Sequence, residues 1–216
     1  MFIKYLGHAC FLLTTQDKKK IVIDPYHPGP RFNYAAVDET ADIVTKSHEH
    51  GDHNAVESVK GNPEVLSKPG AYNIKGIDIK GIAAFHDTNS GSQRGGDVIF
   101  CFKAEGLTVC HLGDLGHTLT KQQLSAIGPV DVLLMPVGGF FTMDAQATAA
   151  VAEEINPRVL IPMHYKTAKS EGLPIAGVED FLKGKSNIRR LNSSELEVKA
   201  STLPEKTEIV VMLPAN

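Results

Sequence analysis

The chain has 216 residues, 42% of them hydrophobic, and its 22 Lys and Arg against 25 Asp and Glu leave a formal charge of -3. That length and apolar content suit one globular domain over residues 1–216, and the slightly acidic balance, with no dense basic run, excludes a general polyanion binder, so no nucleic-acid partner is expected. No apolar stretch approaches the roughly 20 residues needed to span a bilayer as a helix, so no membrane insertion of that kind is expected.

The chain opens on Phe2-Ile3-Lys4-Tyr5-Leu6 without the charged and apolar regions of a leader, and Cys10, Cys101 and Cys110 stand in apolar runs without C-x-x-C spacing. Both features point to a cytoplasmic protein with reduced, buried thiols. Residues 2–6, 9–14 and 20–24 read as strands, with Lys18-Lys19-Lys20 as the solvated tip of a hairpin and Asp24-Pro25 as a turn pair. Ala41-Asp42-Ile43-Val44-Thr45 reads as a short buried strand. A helix is expected near 54–59, then strands at 64–66 and 74–82, with Gly76 and Gly81 bracketing a hairpin-like element. Residues 98–103 and 107–112 are further strands, followed by a helix over 121–127, a buried strand over 130–136 and a helix from 144 to 155. In that last helix Asp144 suits the N-cap, and five alanines favour the helical state. A strand over 158–163, a helix near 178–183 and a strand over 208–213 complete the pattern. Strands interleaved with helices in two similar halves predict an α/β fold, a four-layer αββα sandwich of two mixed sheets flanked by helices rather than a Rossmann sheet.

Between the strand ending at Thr45 and the helix near 54 lies Ser47-His48-Glu49-His50-Gly51-Asp52-His53. Four metal-ligand side chains within six residues are costly to bring together unless a cation unites them. Imidazole nitrogen and carboxylate oxygen suit Zn²⁺, Mn²⁺ or Fe²⁺, and the lack of cysteine argues against a closed structural zinc site. Gly51 lets the backbone turn sharply, so His48 and His50 can face one ion while Asp52 and His53 face another. Isolated residues at other strand ends are the natural places to seek more ligands: His86 after Gly81-Ile82-Ala83-Ala84-Phe85, Asp114 after the run ending at Leu112-Gly113, and His164 after Arg158–Met163. Asp114 could instead cap the following helical segment, a rival use of the same carboxylate that is the less favoured of the two.

The H-x-H-x-D-H pattern resembles the metallo-β-lactamase-fold superfamily of metal-dependent hydrolases. Within it, Leu6-Gly7-His8-Ala9 is similar to the opening of the ascorbate-phosphate-lactonase-like branch. So is His86-Asp87-Thr88-Asn89-Ser90-Gly91-Ser92-Gln93-Arg94-Gly95-Gly96-Asp97, which follows that branch's H-D-x-x-x-G-x-x-R-G-x-N stretch except that Asp97 replaces asparagine. The resemblance implies two divalent metal ions, Zn²⁺ foremost with Mn²⁺, Fe²⁺ or Ni²⁺ as alternatives. His48, His50 and His86 would hold the first, Asp52, His53 and His164 the second, and Asp114 both. Asp24 would orient the metal-binding loop by hydrogen bonds rather than bind metal. His8 would line the substrate pocket, and Arg94 would bind an anionic substrate group, or else be a solvated loop charge. Gly138-Gly139-Phe140-Phe141 would lie in a loop above the metals as a pocket wall or as a turn with core aromatics.

Two cations sharing a water molecule lower its pKa towards neutrality, polarise the bond under attack and stabilise the charge that develops, while Asp52 and Asp114 reduce their mutual repulsion. The expected reaction is hydrolysis of an ester, lactone or phosphoester in a small, anionic molecule, by a chain that tolerates a homo-oligomeric state. His111, His117, Tyr165 and Lys166 are the sequence candidates for the acid that protonates the leaving group. Two alternatives stand beside this: an iron-dependent oxygenase or reductase on the same fold, and a non-catalytic metal-binding module. The family's reductases carry glutamate where His50 stands, and its non-catalytic members lose ligands that this chain keeps.

Overall fold

The computed structural model describes residues 1–30 and 32–215. Its strands are β1 (Phe2–Gly7), β2 (Cys10–Thr14), β3 (Lys20–Ile23), β4 (Ile43–Thr45), β5 (Glu64–Leu66), β6 (Gly70–Ile74), β7 (Ile77–Phe85), β8 (Gly96–Ala104), β9 (Leu107–His111), β10 (Val132–Pro136), β11 (Val159–Met163), β12 (Ile188–Arg190), β13 (Glu195–Glu197) and β14 (Glu208–Val211). The helices are α1 (Lys121–Ile127), α2 (Ala145–Ile155) and α3 (Val178–Leu182). One sheet has the order β13-β1-β2-β3-β4-β5 and the other β12-β14-β11-β10-β9-β8-β7-β6. Both are mixed: β13 to β3 pair antiparallel and β3 to β5 parallel, while β6 to β9 pair antiparallel and β9 to β12 parallel.

Strand alternation builds the layers. Ile3, Tyr5, Phe11, Leu13, Ile21, Ile23 and Ile43 from the first sheet face Ile77, Ile79, Phe100, Phe102, Val109, Leu134 and Ile161 from the second, and all are buried. The other face of the second sheet, with Ile99, Cys110, Leu133, Met135 and Leu160, is covered by the apolar stripes of the three helices, including Ile127, Val151, Phe181 and Leu182. Thr120 closes a capping box at the start of α1, and Asp144 accepts from the Ala147 amide at the start of α2, so both helices begin where the sequence places them.

The outer face of the first sheet is covered differently. Leu6, Leu12, Val22 and Val44 pack under Tyr26, Phe32, Tyr34, Val37, Val56 and Val59, which come from extended chain and a single 3-10 turn over Val56–Ser58. The full helix expected near 54–59 is cut short because Val59 is already extended, at φ -82° and ψ 124°. Prolines 25, 28 and 30 likewise keep the preceding segment out of the helical region. The hairpin between β6 and β7 turns at Lys75-Gly76, with Gly81 lying inside β7 rather than at its end. The thiols remain buried, and Cys101 Sγ lies 3.4 Å from Cys110 Sγ across the β8–β9 pair.

The pairing directions set up the site. β1 and β3 run the same way on either side of β2, and β4 follows β3 in parallel. In the other sheet β7 and β9 share one direction on either side of β8, and β10 and β11 continue it. The carboxyl ends of β1, β3, β4, β7, β9 and β11 lead into His8, Asp24, the 47–53 loop, His86, Asp114 and His164 respectively.

Candidate metal centre

Three of these strand ends turn through the left-handed region: His8 has φ 54°, Asp24 47° and His164 51°. Each costs on the order of 1–3 kcal/mol for a residue with a Cβ and persists only where surrounding contacts impose it. Those contacts are present. The His8 carbonyl accepts from the His164 amide at 2.8 Å and from Tyr5 Oη at 3.0 Å, which ties the end of β1 to the end of β11.

Asp24 organises the histidine loop. Its Oδ1 accepts from the Ser47 amide at 2.7 Å, and its Oδ2 accepts from Ser47 Oγ at 2.6 Å and from His53 Nδ1 at 2.7 Å. Because the Ser47 hydroxyl donates to Asp24, it is left to accept from His48 Nδ1, 2.9 Å away. Both rings therefore carry a proton on Nδ1 and turn Nε2 into the cleft, and both Nε2 atoms are buried without a hydrogen-bond partner. Burial pushes the Asp24 carboxyl up, but His111, His53 and Ser47 outweigh it and hold its pKa below the usual range.

Asp114 occupies the middle, almost fully buried. Its Oδ2 lies 3.1 Å from His86 Nε2, 3.3 Å from His164 Nε2 and 3.9 Å from His48 Nε2, and its Oδ1 lies 3.3 Å from His53 Nε2. Ligand atoms on a tetrahedral ion with bonds near 2.0–2.1 Å stand about 3.3 Å apart, so the separations to His86, His164 and His53 match the edges of such a shell, and His48 stands a little wider. Ligand atoms of His48, His50 and His86 all lie within 4.8 Å of one another, as do those of Asp52, His53, His164 and His8, and those of His48, His53 and Asp114. The residues expected around the first and second cations are thus brought together as two groups, with Asp114 beside both. The unpartnered Nε2 atoms and this donor set fit divalent cations. Burial disfavours a charge on His53, but Asp114, Asp52 and Asp24 outweigh it and raise its pKa well above the usual value, a measure of how strongly the cluster seeks positive charge.

Other expectations meet a different geometry. His8 is fully buried, its Nε2 3.2 Å from Asp52 Oδ2 and its ring centroid 4.1 Å from that of His164. Burial and His164 push its pKa down to about 4, so the ring is neutral at pH 7. Arg94 Nη1 donates to the Phe140 carbonyl at 3.0 Å and its guanidinium lies over the Phe141 ring, which joins the 87–95 loop to the loop after β10. Asp114 does not cap a helix; Thr120 does. Among the candidate acids, His111 is enclosed, donating from Nε2 to the Ala9 carbonyl and accepting the Gly113 amide on Nδ1, and Tyr165 Oη points to the Met212 carbonyl. His117 Nε2 accepts from the Phe85 amide. None of those three side chains is free at the cluster to deliver a proton.

Sequence reasoning missed two supports. Asp97, where the branch pattern has asparagine, is buried behind the cluster, with Oδ1 3.5 Å from His48 Nδ1 and 3.3 Å from the Asp114 amide. Gly113, at φ 56°, lets the chain pass so close to it that a Cβ would fall 2.3 Å from Asp97 Oδ1. The departure from the branch pattern was the available signal, but it pointed to substrate rather than to this backing role. Asp87 is the other support, its carboxylate accepting the amides of Asn89, Gly91, Gln93 and Arg94 at 2.7–3.0 Å.

Burial pushes the Asp87 carboxyl up, yet those four backbone donors bring its pKa down to about 2, from an ordinary 3.8. A depressed folded-state pKa stabilises the loop above the ordinary value, and that contribution is lost as pH falls from about 4 towards 2. Hydrogen exchange at pH 7 should therefore show the four amides protected in the native chain and exposed in Asp87→Ala, with metal content unchanged. Equal protection in the two proteins would refute this account of the loop.

Residues 2–164 match the Beta-lactamase superfamily domain family. A UPF0173 metal-dependent hydrolase of Thermococcus kodakarensis is 31% identical over 193 residues, 76% of this chain and 84% of the relative. Another, from Carboxydothermus hydrogenoformans, is 30% identical over 230 residues, 92% of this chain and all of its own length. The chain belongs to the metallo-beta-lactamase superfamily of metal-dependent hydrolases. Among solved structures, a protein of Thermotoga maritima described as a Zn-dependent hydrolase of this superfamily is 42% identical, with a TM-score of 0.81 over 98% of this chain and 97% of that one. Family membership accounts for the order of the candidate ligands along the chain, and the strand directions account for their convergence.

Proposed function

We propose that this protein is a dinuclear metal-dependent hydrolase acting on an ester, lactone or phosphoester bond of a small molecule. The observation that carries the reading is the pair of buried, unpartnered Nε2 atoms of His48 and His53, both within 4 Å of the Asp114 carboxylate. His48, His50 and His86 would hold one cation, Asp52, His53 and His164 the other, and Asp114 both. When bound, such cations activate water near neutral pH and polarise the bond it attacks, Zn²⁺ being the first choice for this donor set and Mn²⁺, Fe²⁺ and Ni²⁺ the alternatives.

The chain's own groups do the rest. Asp24 and Ser47 keep the His53 and His48 protons on Nδ1, so Nε2 stays available. His50 and the partly exposed Asp52 leave one side of the cluster open to solvent, where substrate can approach. Beside it lies a cavity of about 450 Å³ lined by His48, His50, Phe85, Arg94 and Val98, a volume suited to a small molecule. Arg94 spends one N–H on the Phe140 carbonyl and keeps others for an anionic group. Similarity of the 6–9 and 86–97 stretches to the ascorbate-phosphate-lactonase-like branch supports a phosphate- or carboxylate-bearing lactone or ester. The proposed setting is the cytoplasm, where the three thiols stay reduced; no helix among the described residues is long and apolar enough to cross a membrane.

Elemental analysis of the purified protein should give two divalent ions per chain, and a panel of chromogenic lactones, carboxylic esters and phosphodiesters should reveal turnover with Zn²⁺ or Mn²⁺. Chelation should suppress that rate at least ~100-fold, with recovery on adding metal back. Turnover indifferent to chelator and metal would defeat the reading, and stoichiometric iron with oxygen uptake would replace it by the redox alternative.

A further inference from the structure

We propose that His8 is a positioning residue for Asp52, holding that carboxylate in the orientation that completes the second cation position. The inference rests on the two-cation reading, because Asp52 matters to it as a ligand. Asp52 follows Gly51 on the 47–53 loop, its side chain is 35% exposed, and its backbone belongs to a loop rather than a strand. A short carboxylate in such a place rotates freely unless a donor fixes it. His8 Nε2, 3.2 Å from Asp52 Oδ2, is that donor.

The donor is itself held hard. Its ring is packed edge-on against Phe32 at 4.5 Å and beside His164 at 4.1 Å, and it has no exposed surface. Its left-handed backbone is kept in place by the two hydrogen bonds on its carbonyl, one of them from the amide of His164. With Nδ1 buried and unpartnered, Nε2 facing a carboxylate oxygen, which can only accept, is where a ring proton is stabilised. The bond therefore runs from Nε2–H to Asp52 Oδ2. The same residue thus aligns two groups of the second position, Asp52 through its ring and His164 through its backbone. A substrate contact, the role the sequence suggested, is not open to a ring without exposed surface.

The test is Zn²⁺ titration by calorimetry of the full-length protein and its His8→Phe, His8→Gln and Asp52→Asn variants, each first shown by circular dichroism to be folded. His8→Phe keeps the ring's packing and deletes the N–H; His8→Gln keeps an N–H donor at similar reach. Expected are two sites in the native chain, a ~10–100-fold weaker second site in His8→Phe with the first unchanged, and recovery of most of that loss in His8→Gln. In the metal-free native protein, nitrogen-15 spectra of the His8 ring should report the proton on Nε2. Two native sites that His8→Phe leaves untouched would overturn the inference alone. Failure of His8→Gln to rescue would do the same, making the ring nitrogen itself the ligand. A native chain that takes up a single ion would overturn the two-cation reading and this inference with it.

Discussion

Replacing Asp114 with alanine is expected to empty both cation positions and to lower hydrolytic kcat/KM by about 10³-fold or more, the scale at which loss of one preorganised charge is felt in a site shielded from water. The reason is its location. No other carboxylate among the described residues lies within 4 Å of His48, His53, His86 and His164 together, and burial keeps water from taking its place. Burial pushes its carboxyl up, but His164 and His53 outweigh that and hold its pKa well below the ordinary value, so it is ionised throughout the range where the protein works. Asp114→Asn should follow the alanine variant in direction, since the amide restores shape without charge. Metal analysis after dialysis against a weak chelator decides the matter: an Asp114→Ala protein that still carries two ions would remove Asp114 from the centre.

Asp24→Ala should have the largest effect on the fold itself. The carboxylate is completely buried and accepts three hydrogen bonds, from the Ser47 amide, the Ser47 hydroxyl and His53. Deleting it strands those three buried donors and removes one of the carboxylates around His53, a change worth about 3–5 kcal/mol. In a chain of this size that lowers Tm by on the order of 10 °C. Asp24→Asn should separate two effects. Its carbonyl can still accept from Ser47, so much of the stability returns, but its amide group presents N–H to His53 Nδ1 and drives the ring proton to Nε2, where it blocks metal. A melt close to native together with loss of the second ion is the expected signature. Retention of both ions by Asp24→Ala would show that the His53 tautomer is set elsewhere.

Much of the architecture was legible because the strands bury alternate or continuous apolar residues and the two longer helices carry their own caps. Helix 121–127 agrees with α1 at both ends, since Thr120 and Gln123 form a local device that needs no tertiary help. The edge strands β12 and β13 were not seen: three residues each, with Arg189, Arg190, Glu195 and Glu197 exposed, they carry no apolar alternation and are defined only by their neighbours β14 and β1. The helix foreseen near 54–59 failed for a related reason, since two valines pinning a loop to a sheet look the same as the start of an amphipathic turn. At the site, His48, His50, Asp52 and His53 are local in sequence and could be found together. His86, Asp114 and His164 could be ordered only by resemblance, because their convergence depends on which strands run parallel. The roles of His8, Asp97 and Ser47 rest on contacts between segments distant in sequence that meet only in space, whereas Asp87 gathers the amides of its own loop.

One consequence follows from the way strands of both sheets end at the same place. The proposed first cation position would draw His48 and His50 from the loop after a strand of one sheet and His86 from the other sheet; the proposed second would draw Asp52 and His53 from the first and His164 from the other. Each ion would therefore be a rivet through the two halves of the sandwich, added to the apolar contact between the sheets and to the few hydrogen bonds that cross it, such as His111 Nε2 to the Ala9 carbonyl. At free metal a thousandfold above Kd, a single such rivet adds about 4 kcal/mol against separation of the sheets. The lifetime of the folded chain in a cell would then follow the supply of metal as closely as its catalytic rate does.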